Sequence, residues 1–157
     1  MIKILFVCHG NICRSPMAEF IMKDMVRKSG LEKEFFIASA ATSREELGNP
    51  VYPPAKRILS RHGISCGGKT AVQMTAADYG RYDYILVMDR SNMRNAMRII
   101  DSDPENKVSM LLDFTDYPRS VADPWYSGDF ETAYADIEEG CGALLREIIR
   151  KRKKGSR

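Results

Sequence analysis

Cys8 and Arg14 bracket the short segment His9-Gly10-Asn11-Ile12-Cys13, and Ser15-Pro16 follows directly. A cysteine is a nucleophile only as its thiolate, and thiolates persist where backbone N–H groups, a helix N-terminus or a guanidinium face the sulfur. A loop wrapped over the start of a helix supplies the first two, because its N–H groups point inward and the helix dipole adds partial positive charge. Arg14 supplies the third. Its planar fork matches two oxygens of a tetrahedral oxyanion such as phosphate and keeps its charge at any relevant pH. An arbitrary cysteine after a strand is most simply a buried structural thiol. Cys8 differs because the same small loop offers both an anion cradle and a clamp, so its thiolate can attack phosphorus.

The elements that must hold this loop can be read on either side of it. Ile2 to Val7 is a short apolar run containing Ile and Val that stops at small residues, which marks a buried strand. From Arg14 to Lys28 the residues Met17, Phe20, Ile21, Met25 and Val26 recur at helical spacing, and Gly30 offers a stop. Further strands are expected at Phe35 to Ser39, Tyr84 to Met88 and Val108 to Leu112, with helices over Ala55 to His62, Ser91 to Ile100 and Asp129 to Lys151 and a helical turn at Ala76 to Tyr79. His62, just before Gly63, reads as a helix-end residue. Polar, Gly- and Pro-rich loops span Ala40 to Pro54 and Asp113 to Ser127. In the last helix Phe130, Ala133, Tyr134, Ile137, Cys141, Leu144, Leu145 and Ile148 make one apolar stripe. Strands alternating with helices imply an α/β fold: a parallel sheet covered by helices on both faces, with the phosphate-binding loop after strand 1. Ligands then belong at the C-terminal ends of the strands.

Composition bounds the remaining possibilities. A chain of 157 residues, 44% hydrophobic and 29% charged, fits one soluble globular domain with no internal repeat or linker, here residues 1–157. The apolar N-terminal stretch is too short for a membrane span and lacks an export cleavage site. Cysteines at 8, 13, 66 and 141 form no compact metal-ligand pattern, so neither a metal nor another cofactor is expected, and they fit reduced thiols in the cytoplasm. The net charge is only +3, yet Arg150, Lys151, Arg152, Lys153, Lys154 and Arg157 concentrate positive charge in a tail of about 150–157. Without aromatic interleaving or a second basic patch this indicates no nucleic-acid partner, and a cationic helix end that frays into solvent suffices. The sequence assigns no oligomeric state.

The cysteine, five intervening residues, arginine and serine together resemble the signature of cysteine-dependent phosphotyrosine phosphatases, and this N-terminal form resembles the low-molecular-weight branch. The likeness continues through Ser15-Pro16-Met17-Ala18-Glu19, Arg61-His62-Gly63-Ile64, Tyr82-Asp83-Tyr84-Ile85, Met88-Asp89, Ser91-Asn92 and Asp123-Pro124-Trp125-Tyr126, in family order over nearly the whole chain. The resemblance implies a four-stranded parallel sheet and a phosphocysteine mechanism. It makes Cys8 the nucleophile, Arg14 the binder of the phosphoryl group, Asp123 the general acid, Ser15 a stabiliser of the leaving thiolate and Asn11 a brace for the loop. A proton donor is required chemically, since a tyrosine phenolate leaves far more easily when protonated. Read alone, Asp123 would merely start a turn before Pro124. His9 takes a structural or tuning part, and Gly10, Ile12 and Cys13 complete the cradle. The place of Cys13 in the same loop adds the expectation of a reversible Cys8–Cys13 disulfide.

The implied partner is a phosphotyrosine-containing protein, with phosphate or another oxyanion in the loop. Trp125 and Tyr126 can wall a slot deep enough to exclude phosphoserine. Where the family often has an aromatic residue on the other wall, this chain reads Ser43-Arg44-Glu45-Glu46-Leu47-Gly48, which places Glu45 or Leu47 there. The stretch from Gly67 to Gln73 also departs from a more basic family pattern. Two other enzymes use a similar loop. An arsenate reductase relays oxidation through two nearby cysteines, whereas Cys66 and Cys141 are far apart in sequence. A phosphoarginine phosphatase of this branch carries threonine where Ile12 stands. A non-catalytic phosphotyrosine-binding module is expected to lack the nucleophile or the acid, and both are present.

Overall fold

The computed structural model describes residues 1–155. In chain order its elements are β1 (Ile2–Cys8), α1 (Arg14–Lys28), β2 (Phe35–Ala41), α2 (Pro53–Arg61), α3 (Asp78–Arg81), β3 (Tyr84–Val87), α4 (Arg90–Ile100), β4 (Val108–Met110), α5 (Pro124–Ser127) and α6 (Phe130–Gly155), with 3-10 turns at Glu32–Glu34 and Leu111–Phe114. The four strands are parallel and lie in the order β2-β1-β3-β4. That is the expected α/β sheet. Along β1 the side chains alternate between two apolar clusters: Ile4, Phe6 and Cys8 join residues of α1, α2 and α6, while Leu5 and Val7 join residues of α4. Burial on both faces is why β1 reads as a continuous apolar run rather than an alternating one.

Strand order fixes where a ligand can be held. From β1 the chain passes to β2 on one side, and then returns across to β3 on the other, so the loops after β1 and β3 diverge at the C-terminal edge of the sheet. Such a switch point leaves a crevice. Cys8 ends β1 at that place, and α1 begins at Arg14.

Several boundaries differ from the sequence-based expectation. Strand β4 stops at Met110, because Leu111 and Leu112 leave the sheet in a 3-10 turn and are fully buried. An apolar run does not distinguish these two ways of being buried. Helix α2 starts earlier, at Pro53, where proline's missing N–H costs nothing. The expected loop from Asp113 to Ser127 contains the α5 turn, capped by Asp123, whose side chain accepts from the Trp125 N–H. Helix α6 continues beyond Lys151 to Gly155, and Arg152 pairs with Glu34 at 2.7 Å. The basic end is thus helical and solvent-exposed as far as Gly155; Arg157, the last cation of that tail, lies outside the described residues. Among the described residues no helix is long and apolar enough to cross a membrane.

Gly140 allows the Leu111–Phe114 turn to lie against α6, and that turn leads into the segment carrying Asp123. A Cβ at Gly140 would fall 2.6 Å from Leu111 Cγ and 3.1 Å from Leu112 Cδ2, both on buried side chains. At Gly142, on the same helix, it would meet only the far end of Arg146, at 3.4 Å. Gly140→Ala should therefore destabilise the fold by roughly 1–3 kcal/mol of overpacking, in spite of better helix propensity. Gly142→Ala should stabilise it by up to about 1 kcal/mol. Urea midpoints of the two variants should move in opposite directions; a common direction would remove the packing explanation.

Candidate active site

The loop from Cys8 to Arg14 is tied from outside through its carbonyls. Thr42 N–H donates to the Cys8 carbonyl at 2.9 Å, Ser43 N–H to that of His9 at 3.1 Å and Tyr52 N–H to that of Ile12 at 2.9 Å. With these oxygens held outward, N–H groups turn in: those of Asn11 and Ser15 donate to Cys8 Sγ at 3.3 and 3.4 Å. Asn11 makes the tight turn with φ of 58°, a left-handed conformation that asparagine tolerates better than most residues. Its buried side chain fixes that turn, donating to Ser15 Oγ at 2.7 Å and Ser39 Oγ at 2.9 Å and accepting from the Val72 N–H at 3.2 Å.

These bonds give the Ser15 hydroxyl a direction. Since Asn11 donates to Ser15 Oγ, the hydroxyl hydrogen is left for Cys8 Sγ, at 3.0 Å, or the Ala40 carbonyl, at 3.5 Å. Ser39 is oriented likewise, for its hydroxyl donates to Glu19 Oε1 at 2.6 Å. Glu19 is a buried carboxylate with two cations: Lys23 Nζ at 2.6 Å, and Lys69 Nζ at 3.8 Å, which also donates to the Ser39 carbonyl at 3.0 Å. Burial lowers the pKa of the Lys69 ammonium, an effect that Glu19 opposes.

Arg14 is buried at the first turn of α1. Its Nη1 donates to Asp89 Oδ2 at 2.7 Å and to the Val121 carbonyl at 2.8 Å, and Nη2 lies 3.4 Å from Asp123 Oδ2. Burial works against its charge, but the Cys8 sulfur, Asp89 and Asp123 more than offset this and raise its pKa. Asp89 caps α4 with its other oxygen, accepting from the Asn92 N–H at 2.8 Å, so the end of β3 orients the guanidinium.

The cleft above the loop is lined by Cys8, His9, Gly10, Ile12, Cys13, Arg14 and Asp123, with Glu45, Glu46, Trp125 and Tyr126 at its mouth. Trp125 packs on Tyr52 at 4.8 Å between ring centroids and stays half exposed. His9 Nε2 pairs with Glu45 Oε2 at 2.9 Å. Gly10 is where Glu46 crosses the loop, since a Cβ there would lie 3.3 Å from Glu46 Cγ. Cys13 faces the cleft as a thiol, its pKa pushed up to about 12 by burial and then by the charges of Cys8 and Asp123. Cys66 and Cys141 are buried and do not line the cleft.

Some expectations need correction. Of the alternatives Glu45 and Leu47, Glu45 borders the cleft, and Leu47 is exposed outside it. The Asn11 and Ser15 side chains do not line the cleft but lie beneath the loop and hold it, and only their backbone N–H groups face the sulfur. His62 ends α2 as expected, with its ring stacked on Tyr134 at 4.0 Å. Sequence reasoning assigned no role to Asp89, Glu19, Ser39, Val72 or Glu46. Asp89 carried a readable signal, an aspartate three residues before Asn92 at a strand end, which is a helix N-cap at the ligand edge of the sheet.

The family described as low molecular weight phosphotyrosine protein phosphatase matches residues 3–154. The low molecular weight protein-tyrosine-phosphatase YfkJ of Bacillus subtilis is 39% identical over 150 residues, covering 94% of this chain and 96% of that protein. Its crystal structure superposes with a TM-score of 0.92 over 96% of each chain. A human low molecular weight phosphotyrosine protein phosphatase is 37% identical, covering 92% of this chain and 94% of its own.

Asn11 is the residue on which the loop's shape turns. Asn11→Ala should cost about 4–5 kcal/mol, from three hydrogen bonds at about 1 kcal/mol each and about 1–2 kcal/mol for a left-handed alanine. Asn11→Gly keeps the conformation but not the bonds and should fall between alanine and wild type. Denaturant unfolding of the three proteins checks this order, and a glycine variant no better than alanine would mean that φ contributes nothing.

Proposed function

Because the chain belongs to the low molecular weight phosphotyrosine protein phosphatase family, we propose how its residues divide the work of the reaction. The activity is hydrolysis of protein phosphotyrosine through a phosphocysteine intermediate. Cys8 is the nucleophile, Arg14 the phosphoryl clamp and Asp123 the general acid. The observation that carries this assignment is the convergence on one cleft of a sulfur that faces two N–H groups and a hydroxyl, a buried guanidinium, and a carboxylate.

In the first step Cys8 sulfur attacks phosphorus as the bond to the tyrosine oxygen breaks, and Asp123 gives that oxygen its proton. Arg14 Nη1 is fully engaged by Asp89 and Val121, which leaves Nε and Nη2 as the fork for two phosphoryl oxygens. The inward N–H groups hold the phosphoryl oxygens, placing fixed donors where charge develops. In the second step water attacks the phosphocysteine, Asp123 takes its proton, and sulfur departs toward the Ser15 hydroxyl. A phosphate that binds Arg14 competes with Asp123 for Nη2 and leaves the carboxyl group to the tyrosine oxygen. His9, Gly10, Ile12 and Cys13 shape the cradle, and Trp125 and Tyr126 wall the ring. The aromatic Trp125 and Tyr126 lining the cleft support phosphotyrosine over phosphoserine, and the isoleucine at position 12 supports it over phosphoarginine. We further assign residues 1–157 to one catalytic domain working in the cytoplasm on phosphoproteins. Four unpaired cysteines support that compartment.

Cys8→Ser should abolish turnover while phosphate-analogue binding remains. Asp123→Asn should slow phosphotyrosine hydrolysis by roughly a hundredfold or more, with far less effect on an aryl phosphate whose leaving group needs no proton. Equal losses on both substrates would mean the acid is another residue. Under mild peroxide, Cys8 should oxidise to a sulfenic acid; attack of the Cys13 sulfur on the Cys8 sulfur then forms the disulfide, and the sulfenic hydroxyl leaves as water with the thiol proton. Peptide mapping should find Cys8 joined to Cys13 and activity restored by a thiol; a bond to Cys66 or Cys141 would defeat it.

A further inference from the structure

The mouth of the cleft carries a charge pattern that the chemistry below does not use. Glu45 and Glu46 both border it, and His9 offers Glu45 a counter-charge only when the imidazole is protonated. Arg44, on the same loop, donates to Gln73 Oε1 at 3.1 Å and does not line the cleft. Arg14 is buried and turned toward Asp89 and Asp123. A bound phosphotyrosine places its phosphate on the cradle and its backbone at the rim, with the neighbouring Cα atoms only 3.8 Å to either side. Residues flanking the phosphotyrosine therefore meet a rim of two carboxylates and one imidazole.

We propose that Glu45 and Glu46 make this enzyme selective for phosphotyrosine flanked by lysine or arginine within two positions and unfavourable to acidic flanks. This rests on the phosphotyrosine activity above and adds the class of peptide. A basic flank competes with His9 for the Glu45 carboxylate, which is placed for it because the Glu45 side chain is 70% and the His9 side chain 47% exposed. Glu46 is steadier: Asn49 Nδ2 donates to its Oε2 at 2.6 Å, and its stem rests on Gly10. An acidic flank gains no partner and meets like charge. Because Glu45 and His9 are exposed and Glu46 is partly so, the preference falls with ionic strength, while contacts in the buried cradle are screened less.

The test compares kcat/KM for three phosphotyrosyl peptides that differ only in lysine, alanine or aspartate at the two flanking positions on each side. Lysine flanks should exceed aspartate flanks by roughly tenfold at low salt, chiefly through KM, and the ratio should approach unity near 0.5 M salt. The double variant Glu45→Gln, Glu46→Gln should bring the ratio within about twofold, and Glu45→Lys should reverse it. A flat or acid-preferring profile for wild type, or a ratio that survives the double variant, overturns the proposal. The alanine peptide separates the two levels of inference. If wild type fails to hydrolyse it, the phosphotyrosine activity itself is wrong; if wild type cleaves all three peptides equally, only the rim's selectivity is lost.

Discussion

The Arg14 guanidinium is almost entirely removed from water, and much of the structure exists to make that tolerable. An isolated charge in the interior is prohibitively costly, and removing one partner of a buried pair typically costs 3–5 kcal/mol. Asp89 and the Val121 carbonyl take one terminal nitrogen and Asp123 approaches the other, so the charge is compensated yet one edge is left without a firm partner. These partners come from the end of β3 and from the segment after β4, both at the C-terminal edge of the sheet. That open edge of the guanidinium is where the proposed doubly charged phosphoryl group would complete the arrangement. Sheet order, the Leu111–Phe114 turn and the seating of that turn on Gly140 all serve this one requirement.

A second buried charge organises the other side of the loop. Glu19, on α1, holds Ser39 on β2, which accepts from Asn11, which in turn donates to Ser15 beneath Cys8. Each member has its partners, and a fully satisfied polar network in a low-dielectric interior is rigid. Rigidity is what the chemistry needs. Donors fixed before the reaction do not have to reorganise as charge moves from phosphorus to sulfur and back. Lys23 and Lys69 balance the carboxylate, so α1, β2 and the segment around residue 69 are locked together under the cradle.

What could be read from the sequence follows from which interactions are local. Cys8 and Arg14 lie within one loop and one helix start, so residue types and spacing expose them directly, whereas the parts of Ser15 and Asn11 came from the family likeness. Asp123 needed the family likeness, because Asp-Pro-Trp-Tyr by itself describes a capped turn, and Asp123 does cap α5 as well as face Arg14. Glu19 was visible as part of a motif without any hint of its partner, since Ser39 lies on another strand. Asp89 and Val72 act through pairings that only the strand order and the loop path create. The choice between Glu45 and Leu47 turned on which side chains an irregular loop directs inward, and no periodicity governs such a loop. The end of β4 failed for a similar reason: buried apolar residues at Leu111 and Leu112 satisfy a strand and a 3-10 turn equally well.

Placing neutralised charge below and unneutralised charge above gives the two parts of the site different responses to the surrounding solution. Interactions of Cys8, Arg14 and the loop amides occur where water and salt penetrate little, so the chemical step should be nearly indifferent to ionic strength. Glu45 and His9 face solvent, where a single ion pair adds little to stability. Small energies suffice there, because selection between two peptides depends on a difference in affinity rather than on its total. A few rim residues can then change the preferred peptide without disturbing the buried network that surrounds the Cys8 sulfur. The loop from Ser43 to Gly48 is suited to such tuning, since Glu45 and Glu46 border the cleft while the Cys8 sulfur is held by hydrogen bonds within the loop beneath.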